Sequence, residues 1–165
     1  MNRTVTTAVI AVSQLALVGV GVAPQLSARL AGDTYLMKVA PIDPMDPFRG
    51  AYVALDYPDL RHDDSQSFGS PGLGALEDGE EGDVYGSLVE EGGVWVAGEW
   101  IRTRPEEGPD LACDDRSWQI RCGIESWFLP QDEAAAAEDL LRDGAVAEVK
   151  VDGRGNAAVV GVRAP

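Results

Sequence analysis

An uncharged segment near the start of the chain is the feature that most constrains its fold. It comprises 25 residues, from Thr4 to Ala28, and reads TVTTAVIAVSQLALVGVGVAPQLSA. At about 1.5 Å per residue, a helix of this length measures roughly 37 Å, enough to cross a hydrocarbon core of about 30 Å. We therefore predict a transmembrane helix that serves as a membrane anchor within residues 1–32.

The charges on either side of this segment predict its orientation. Arg3 precedes the segment, and none of the 28 acidic residues of the chain comes before Asp33. Basic residues tend to stay on the cytoplasmic side of a membrane. We expect a single-pass protein of the cell membrane, with the N-terminus in the cytoplasm and residues 33–165 outside it.

A cleaved signal peptide is the alternative interpretation of the same segment. Cleavage requires small residues in an Ala-x-Ala-like pattern after the apolar core. Gly21–Ala23 fits that pattern, but Pro24 follows it directly, and Ala31 has Arg29 two positions before it. A secreted domain is therefore the second interpretation, and a helix buried inside a soluble protein is the third.

The remainder of the chain is strongly acidic. Since Arg3 and Arg29 are the only two of the 13 basic residues before Asp33, residues 33–165 carry 11 basic and 28 acidic side chains, a net charge of −17. Phosphate backbones and anionic headgroups are bound by Lys and Arg and are repelled by such a surface. We expect no nucleic-acid partner.

The two cysteines predict a disulfide bond. Cys113 and Cys122 are nine positions apart, and an even pair in an oxidising compartment usually forms a bridge. Two unpaired thiols are the alternative. A metal site is not expected, because two cysteines and the distant His62 do not make a tetrahedral ligand set. We expect no cofactor.

Short apolar runs between glycines and prolines predict strands after residue 33. The first is Thr34–Pro41. The second alternates, with Tyr52, Ala54 and Asp56 on one face and Val53, Leu55 and Tyr57 on the other. A hairpin is predicted over Val84–Arg102, turning at Glu91-Gly92-Gly93. A closing hairpin is predicted over 145–164, turning at Asp152-Gly153-Arg154-Gly155-Asn156.

The other segments connect these strands. Residues 58–83 are rich in Gly, Ser and acids and predict a long flexible loop. Residues 103–116 read as a second polar connection, and 117–130 as one or two short strands. A short helix is expected over 131–144, ended by Gly144. The predicted fold is mainly β (α+β): a small antiparallel barrel or sandwich with one short helix.

The segment Pro41–Pro58, PIDPMDPFRGAYVALDYP, is the most distinctive motif. Asp43 and Asp46 stand beside prolines, where aspartate side chains stabilise turns by accepting backbone hydrogen bonds. Arg49 could pair with either of them, and Gly50 could take a conformation that other residues avoid. This structural interpretation competes with a binding groove lined by Asp43, Asp46, Arg49 and Tyr52.

The motif resembles the GDYXXLXY family of bacterial membrane-anchored proteins. The residues that carry the resemblance are Asp43, Pro44, Asp46, Arg49, Gly50, Tyr52, Leu55 and Tyr57. CGIESWFLPQDEAAAAEDL and the closing VDGRG are similar to later parts of the family in the same order. One position departs from the pattern, because Ala51 stands where the family has its namesake aspartate.

This resemblance implies a location and an architecture, but it implies no reaction. It also implies a multi-pass membrane protein as a partner. If the missing carboxylate did chemistry in the family, Ala51 removes it here. If that carboxylate only capped a turn, the alanine costs about 1 kcal/mol of stability.

We expect a non-catalytic binding or accessory subunit of another membrane or envelope protein. An envelope sensor or cation-binding module is the first rival, using acids such as those of Leu76–Asp83. A hydrolase related to membrane signal peptidases is a remote rival, since it needs a nucleophilic Ser after the span and a buried Lys. Lys38 and Lys150 are the only lysines, no suitable Ser follows the anchor, and we predict no catalytic residue.

Overall fold

The computed structural model describes residues 3–41, 52–60, 81–116, 120–130, 137, 140–142 and 144–165. Within these ranges the chain forms a long N-terminal helix, α1, over Arg3–Ala31, eight strands and a 3-10 helix over Pro58–Leu60. The strands are β1 Asp33–Pro41, β2 Tyr52–Asp56, β3 Asp83–Glu91, β4 Val94–Ile101, β5 Asp110–Asp114, β6 Ser126–Phe128, β7 Ala145–Val151 and β8 Ala157–Arg163.

The strands form two antiparallel sheets. One has five strands in the order β6-β2-β1-β7-β8, and the other has three in the order β4-β3-β5. Each pairing between named strands is antiparallel. The prediction of a mainly β fold is therefore confirmed, and the strands of the described ranges do not close into a barrel.

The two predicted hairpins are confirmed. Strands β3 and β4 meet at Gly92 and Gly93, whose φ angles are 61° and 87°. Strands β7 and β8 meet at the turn 152–156, in which the Asp152 amide donates to the Asn156 carbonyl at 3.0 Å. The predicted first strand is also present, as β1, which pairs with β7 over seven positions from Asp33 to Val39.

The prediction of an irregular polar connection over 103–116 was wrong in its second half. Strand β5 forms there and pairs with β3 from Asp110 to Asp114. Leu111 and Cys113 are buried, as an alternating strand requires. The strand was not predicted because a charged residue stands at each of its ends. Asp110 is nevertheless buried, since it forms an ion pair with Arg104.

Two other predicted segments are described only in part. Residues 137 and 140–142 are helical, with Ala137 and Leu141 buried, and the Gly144 amide donates to the Leu141 carbonyl at 3.1 Å. Within the predicted loop 58–83, the 3-10 helix Pro58–Leu60 buries Leu60. Residues 61–80, which include His62 and most of the acidic Leu76–Asp83, lie outside the described residues.

The two sheets share one hydrophobic core. Met37, Leu55 and Val149 enter it from the larger sheet, and Val84 and Leu111 from the smaller one. Aromatic side chains link the sheets as well: the ring of Tyr35 on β1 meets that of Trp95 on β4 edge to face, with centroids 4.9 Å apart. Trp100 is buried and Trp127 is half-buried, and both pack in or against the core, whereas Trp118 lies outside the described residues.

Helix α1 is long and apolar enough to cross a membrane, and none of its most apolar window is buried against the rest of the chain. Its large side chains are exposed along most of its length, for example Leu15 and Val20. Contact with the β domain begins only in its last turns, where Ala28 is completely buried.

Candidate functional site

The described half of the proline-rich motif belongs to the core. Strand β2 alternates as predicted, with Val53, Leu55 and Tyr57 on the buried face. The Tyr57 hydroxyl donates to the Ile124 carbonyl at 3.1 Å, and burial raises the pKa of this hydroxyl, with a further contribution from Glu125. Leu55 and Tyr57 therefore act in packing.

The motif packs against the second segment that carries the family resemblance. Tyr52 pairs with Phe128 and Val53 with Trp127, and the Leu55 amide donates to the Glu125 carbonyl at 2.9 Å. The two segments are about seventy residues apart in the chain, yet they form neighbouring strands. Asp43, Asp46, Arg49, Gly50 and Ala51 lie outside the described residues, so the binding-groove interpretation stays a prediction.

The two cysteines lie at disulfide distance, as the sequence predicts. Their sulfur atoms are 2.02 Å apart and their Cα atoms 4.1 Å apart. Backbone hydrogen bonds of 2.8 Å in each direction between Asp114 and Arg121 join the same two segments. This crosslink fastens strand β5 to the segment that leads into β6.

Asp152 is a junction between the closing hairpin and the helix. Its carboxylate is buried and accepts hydrogen bonds from the amides of Arg154 and Asn156, at 2.8 and 3.1 Å, and from the Asn156 side chain. The fourth donor is the hydroxyl of Ser27 in α1, at 2.5 Å. Burial opposes ionisation, but the hydrogen bonds, led by those of Asn156 and Ser27, outweigh it and lower the Asp152 pKa.

A second buried carboxylate joins the same turn to the smaller sheet. Asp110 at the start of β5 accepts hydrogen bonds from Nε and Nη2 of the Arg104 guanidinium, the shortest at 2.8 Å. The same guanidinium donates to the Gly153 carbonyl at 2.8 Å. Arg104 therefore bridges the closing turn and strand β5 with a planar, permanently charged group.

Gly155 allows the close approach of these two elements. Its φ is 79°, and a Cβ on it would lie 2.7 Å from Asp110 Oδ2 and 2.8 Å from the Ala112 nitrogen. That nitrogen donates to the Gly155 carbonyl at 2.9 Å. Both the backbone conformation and the available space require a residue without a side chain here.

Further contacts hold the end of the helix against β7 and β8. Arg29 Nη2 donates to the Val159 carbonyl and Lys150 Nζ to the Arg29 carbonyl, each at 3.1 Å. Gly32 follows the helix directly, and a Cβ on it would lie 2.5 Å from the Ala28 oxygen and 2.8 Å from the Val151 carbonyl carbon. Helix α1 is thus joined to the β domain by direct contacts and a single intervening residue.

A cleft of about 460 Å³ opens beside this junction, between the start of β1, the segment 104–110 and the closing turn. Its charged and aromatic lining residues are Asp33, Tyr35, Arg104, Glu106, Asp110 and Asp152. Four carboxylates against one guanidinium make it acidic, and Asp110 and Asp152 already have protein partners. The cleft suits a cationic or hydrogen-bonding group, and its described lining includes no Ser, Cys or His.

The lysines of the signal-peptidase interpretation lie at the surface. Lys38 is 59% exposed, with its Nζ 3.6 Å from Asp59 Oδ2, and Lys150 contacts the end of the helix. Among the described residues, no group of three His, Cys, Asp or Glu side chains is placed to hold a metal ion. The cation-binding interpretation of Leu76–Asp83 stays a prediction, because most of that segment is not described.

Sequence reasoning missed the junction, although it located the closing turn. The signals that could have found it are the Asp152 and Asn156 pair that flanks Gly153-Arg154-Gly155, and the polar residues Gln25 and Ser27 at the end of an apolar helix. Nothing local in the sequence joins these two segments. Their contact depends on the tertiary fold.

Comparisons with known proteins agree with the architecture. The family model described as GDYXXLXY protein matches residues 14–162, which include most of α1, strands β1 to β7 and all of β8 but its last residue. Neither the curated proteins nor the solved structures contain a match. Since the family model covers most of the chain, the protein belongs to the GDYXXLXY family.

Proposed function

We propose that the protein is a single-pass membrane protein whose β domain lies outside the cytoplasm and acts as a non-catalytic accessory or binding subunit of another membrane or envelope protein. The observation that carries this proposal is the continuity between helix and domain. Ala28 is buried, the Ser27 hydroxyl donates a hydrogen bond to the Asp152 carboxylate, and the Arg29 guanidinium donates one to the Val159 carbonyl. A domain fastened in this way keeps one orientation at the membrane surface.

The same contacts favour a retained helix over a cleaved signal peptide. Cleavage after Ala31 would remove Ser27 and Ala28. The Asp152 carboxylate would then lose one of its hydrogen-bond donors, and the part of the β domain that contacts Ala28 would become exposed. A signal peptide is normally discarded and has no reason to complete the fold of the mature domain. The cysteine pair at disulfide distance also fits an oxidising, extracytoplasmic compartment.

An accessory role fits the chemistry of the described residues. The cleft offers carboxylates and a tyrosine and suits recognition of a cationic group on a partner. The rigid connection of helix to domain favours a partner that itself lies in or at the membrane, because one protein can then contact both parts at once. Two linked contacts bind more tightly than either alone.

The test is recovery of a partner from native membranes. The full chain with a C-terminal affinity tag is crosslinked mildly in membranes, extracted with detergent and purified, and the recovered proteins are identified by mass spectrometry. We expect one membrane or envelope protein at a yield comparable to that of the tagged chain. The control is an unrelated single-pass protein with the same tag and expression level. Recovery of the same proteins in equal amounts with both would contradict the proposal.

A further inference from the structure

The cleft beside the junction has an excess of negative charge. Its described lining contains four carboxylates and one guanidinium, which leaves a net charge of −3. The guanidinium belongs to Arg104 and is held by Asp110 and by a carbonyl of the closing turn. Within the described part of the chain, no Lys or Arg side chain forms an ion pair with the other three carboxylates, which are those of Asp33, Glu106 and Asp152.

The Asp152 carboxylate is the most deeply placed of these three. Asp152 is only 7% exposed, and the donors that bond to its carboxylate are uncharged groups: the Ser27 hydroxyl, two backbone amides and the Asn156 carboxamide. Buried charges in proteins are normally paired with an opposite charge. A cation bound in the cleft would supply the opposite charge that the described fold does not pair with this carboxylate.

Two other lining side chains respond to the negative potential of the cleft. Burial raises the pKa of the Tyr35 hydroxyl, and the charge of Asp33 raises it further. The hydrogen bond to Asp110 raises the Arg104 pKa, burial opposes this increase, and the charges of Asp110 and Asp152 add to it. In both cases the nearby carboxylates favour the protonated side chain. A cationic ligand in the same place would be stabilised by the same potential.

The arrangement suits a guanidinium group better than a metal ion. A hard cation such as Ca²⁺ needs several oxygens that converge at about 2.3–2.6 Å, and no group of three acidic side chains among the described residues is placed to do this. The volume of about 460 Å³ lies in the range of roughly 300–1,000 Å³ that is typical of sites for organic ligands. A guanidinium carries five donors in one plane and is weakly hydrated, whereas an ammonium is compact and strongly hydrated. Tyr35, Pro105 and Pro109 supply apolar walls for its stem.

We propose that the cleft binds the guanidinium group of an arginine side chain that the partner protein presents, with Asp33, Glu106 and Asp152 as the anionic residues of the site. The inference rests on the proposed function for the source of the arginine and adds to it the chemistry and the residues of the contact. The net charge of −17 for residues 33–165 favours a partner segment that is basic. The position of the cleft beside the end of helix α1 makes it accessible to a protein that lies at the membrane surface.

A single-residue probe tests the cleft without the partner. The probe is Nα-acetyl-L-arginine amide, whose only charge is the guanidinium, and the control is Nα-acetyl-L-citrulline amide, which has nearly the same shape and no charge. Binding to the full chain in a non-ionic detergent is measured by calorimetric titration at low ionic strength. We expect the arginine probe to bind at least about tenfold more tightly than the citrulline probe, because only the former makes charge-assisted hydrogen bonds.

Two neighbouring glutamates provide matched variants. Glu106 lines the cleft, whereas Glu107 is not among the described lining residues, and both are exposed. Substitution of either residue by Gln removes the same charge from the same acidic domain, so a difference between them reports the cleft and not the overall charge. We expect Glu106→Gln to weaken binding of the arginine probe by about threefold and the Asp33→Asn/Glu106→Gln double variant by about tenfold. Glu107→Gln should change it by less than about 1.5-fold.

The same variants test the source of the arginine. The partner is recovered from native membranes with the wild-type chain, with the Asp33→Asn/Glu106→Gln double variant and with Glu107→Gln. We expect on the order of tenfold less partner with the double variant and unchanged recovery with Glu107→Gln. All the substituted side chains are exposed, so none of the variants should lose its fold.

The outcomes separate the cleft from the broader proposal. Equal binding of the arginine and citrulline probes, or equal effects of Glu106→Gln and Glu107→Gln, would overturn the cleft as a guanidinium site even where the wild-type chain recovers a partner. Saturable binding of Ca²⁺ that displaces the arginine probe would overturn the choice of a guanidinium. If the probe binds as expected but the double variant recovers the partner undiminished, the partner's side chain is overturned as the source. If the wild-type chain recovers no partner, the proposed function fails, while the titrations still decide whether the cleft binds a guanidinium.

Discussion

Ser27 and Asp152 are 125 positions apart, and their side chains meet in a hydrogen bond of 2.5 Å. Ser27 lies in the last turns of the apolar helix, and Asp152 opens the turn that closes the β domain. The contact makes the end of the helix part of the domain fold. A substitution that removes this contact should therefore lower the stability of the domain.

Truncation of Asp152 should destabilise the protein strongly. Asp152→Ala removes a buried acceptor of hydrogen bonds from Ser27, Arg154 and Asn156 and leaves those donors unsatisfied. We expect a loss of about 3 kcal/mol in the free energy of unfolding, measured by denaturant titration of the full chain in detergent. Glu148→Gln is the control, since Glu148 pairs with Arg163 at the surface and should change stability by less than about 1 kcal/mol. Equal effects of the two changes would contradict this account of the junction.

Two glycines in the closing turn should respond differently to the same substitution. Gly155→Ala places a Cβ 2.7 Å from Asp110 at a φ of 79°, and we expect it to cost about 3 kcal/mol. Gly153→Ala meets no atom within 4 Å and should cost less than about 1 kcal/mol. Thermal unfolding of both variants beside the wild type gives the comparison. Equal melting temperatures of the two variants would show that the turn geometry is wrong.

The described half of the family motif should matter for stability. Leu55 is buried in the core, so Leu55→Ala should lower the free energy of unfolding by about 2–5 kcal/mol. Val89→Ala, at a position that is 47% exposed in a strand of the other sheet, should cost less than about 1 kcal/mol. The measurement is a denaturant titration with near-UV circular dichroism as the probe. A tolerated Leu55→Ala would mean that the motif strand does not pack as the structure places it.

Acid should remove one identifiable contribution to stability. The hydrogen bond from Arg102, at 2.6 Å, lowers the pKa of Asp115 below its ordinary value of about 3.9, although partial burial opposes it. A carboxylate whose pKa is lowered by folding stabilises the folded state above its unfolded pKa. It loses that contribution as the pH falls through the folded pKa, here below about pH 4.

Asp115→Asn isolates this contribution from the self-repulsion of an acidic protein. At pH 7 we expect the variant to be about 2 kcal/mol less stable than the wild type, because it loses the charged bond to Arg102. The difference should shrink as the pH falls below about 4, where the wild-type carboxyl also becomes neutral. Denaturant titrations of both proteins from pH 7 to pH 3 measure it. A difference that stays constant over this range would refute the assignment.

Local patterns in the sequence predicted the hairpins because their determinants are local. Gly92 and Gly93 supply the positive φ angles of one turn. Alternation predicted that Val53, Leu55 and Tyr57 share one face, and the structure shows that this face is buried. The cysteine pair was likewise readable from its spacing and the expected compartment. These features depend on a few neighbouring residues and on general compartment chemistry.

The junction could not be predicted, because it depends on where distant elements meet. From the sequence alone, an aspartate at position 110 indicates a loop, because its burial depends on the ion pair with Arg104. Strand β5 was therefore not predicted. In the sequence, Ser27 is one of several small residues of the helix, and only the tertiary structure shows that its hydroxyl donates to Asp152 in the closing turn. In each case the polar group owes its burial to a tertiary partner that lies outside any local sequence window.

The measurement that tests the central claim most directly is the intact mass of the mature protein, recovered from fractionated cells under non-reducing conditions. The account predicts the full 165-residue chain in the membrane fraction, two hydrogens lighter than the reduced chain because of the Cys113–Cys122 bond. A chain truncated near Ala23 or Ala31 and found in the soluble fraction would contradict it. The helix would then be a discarded signal peptide, and its contacts with Asp152 would be absent from the mature protein.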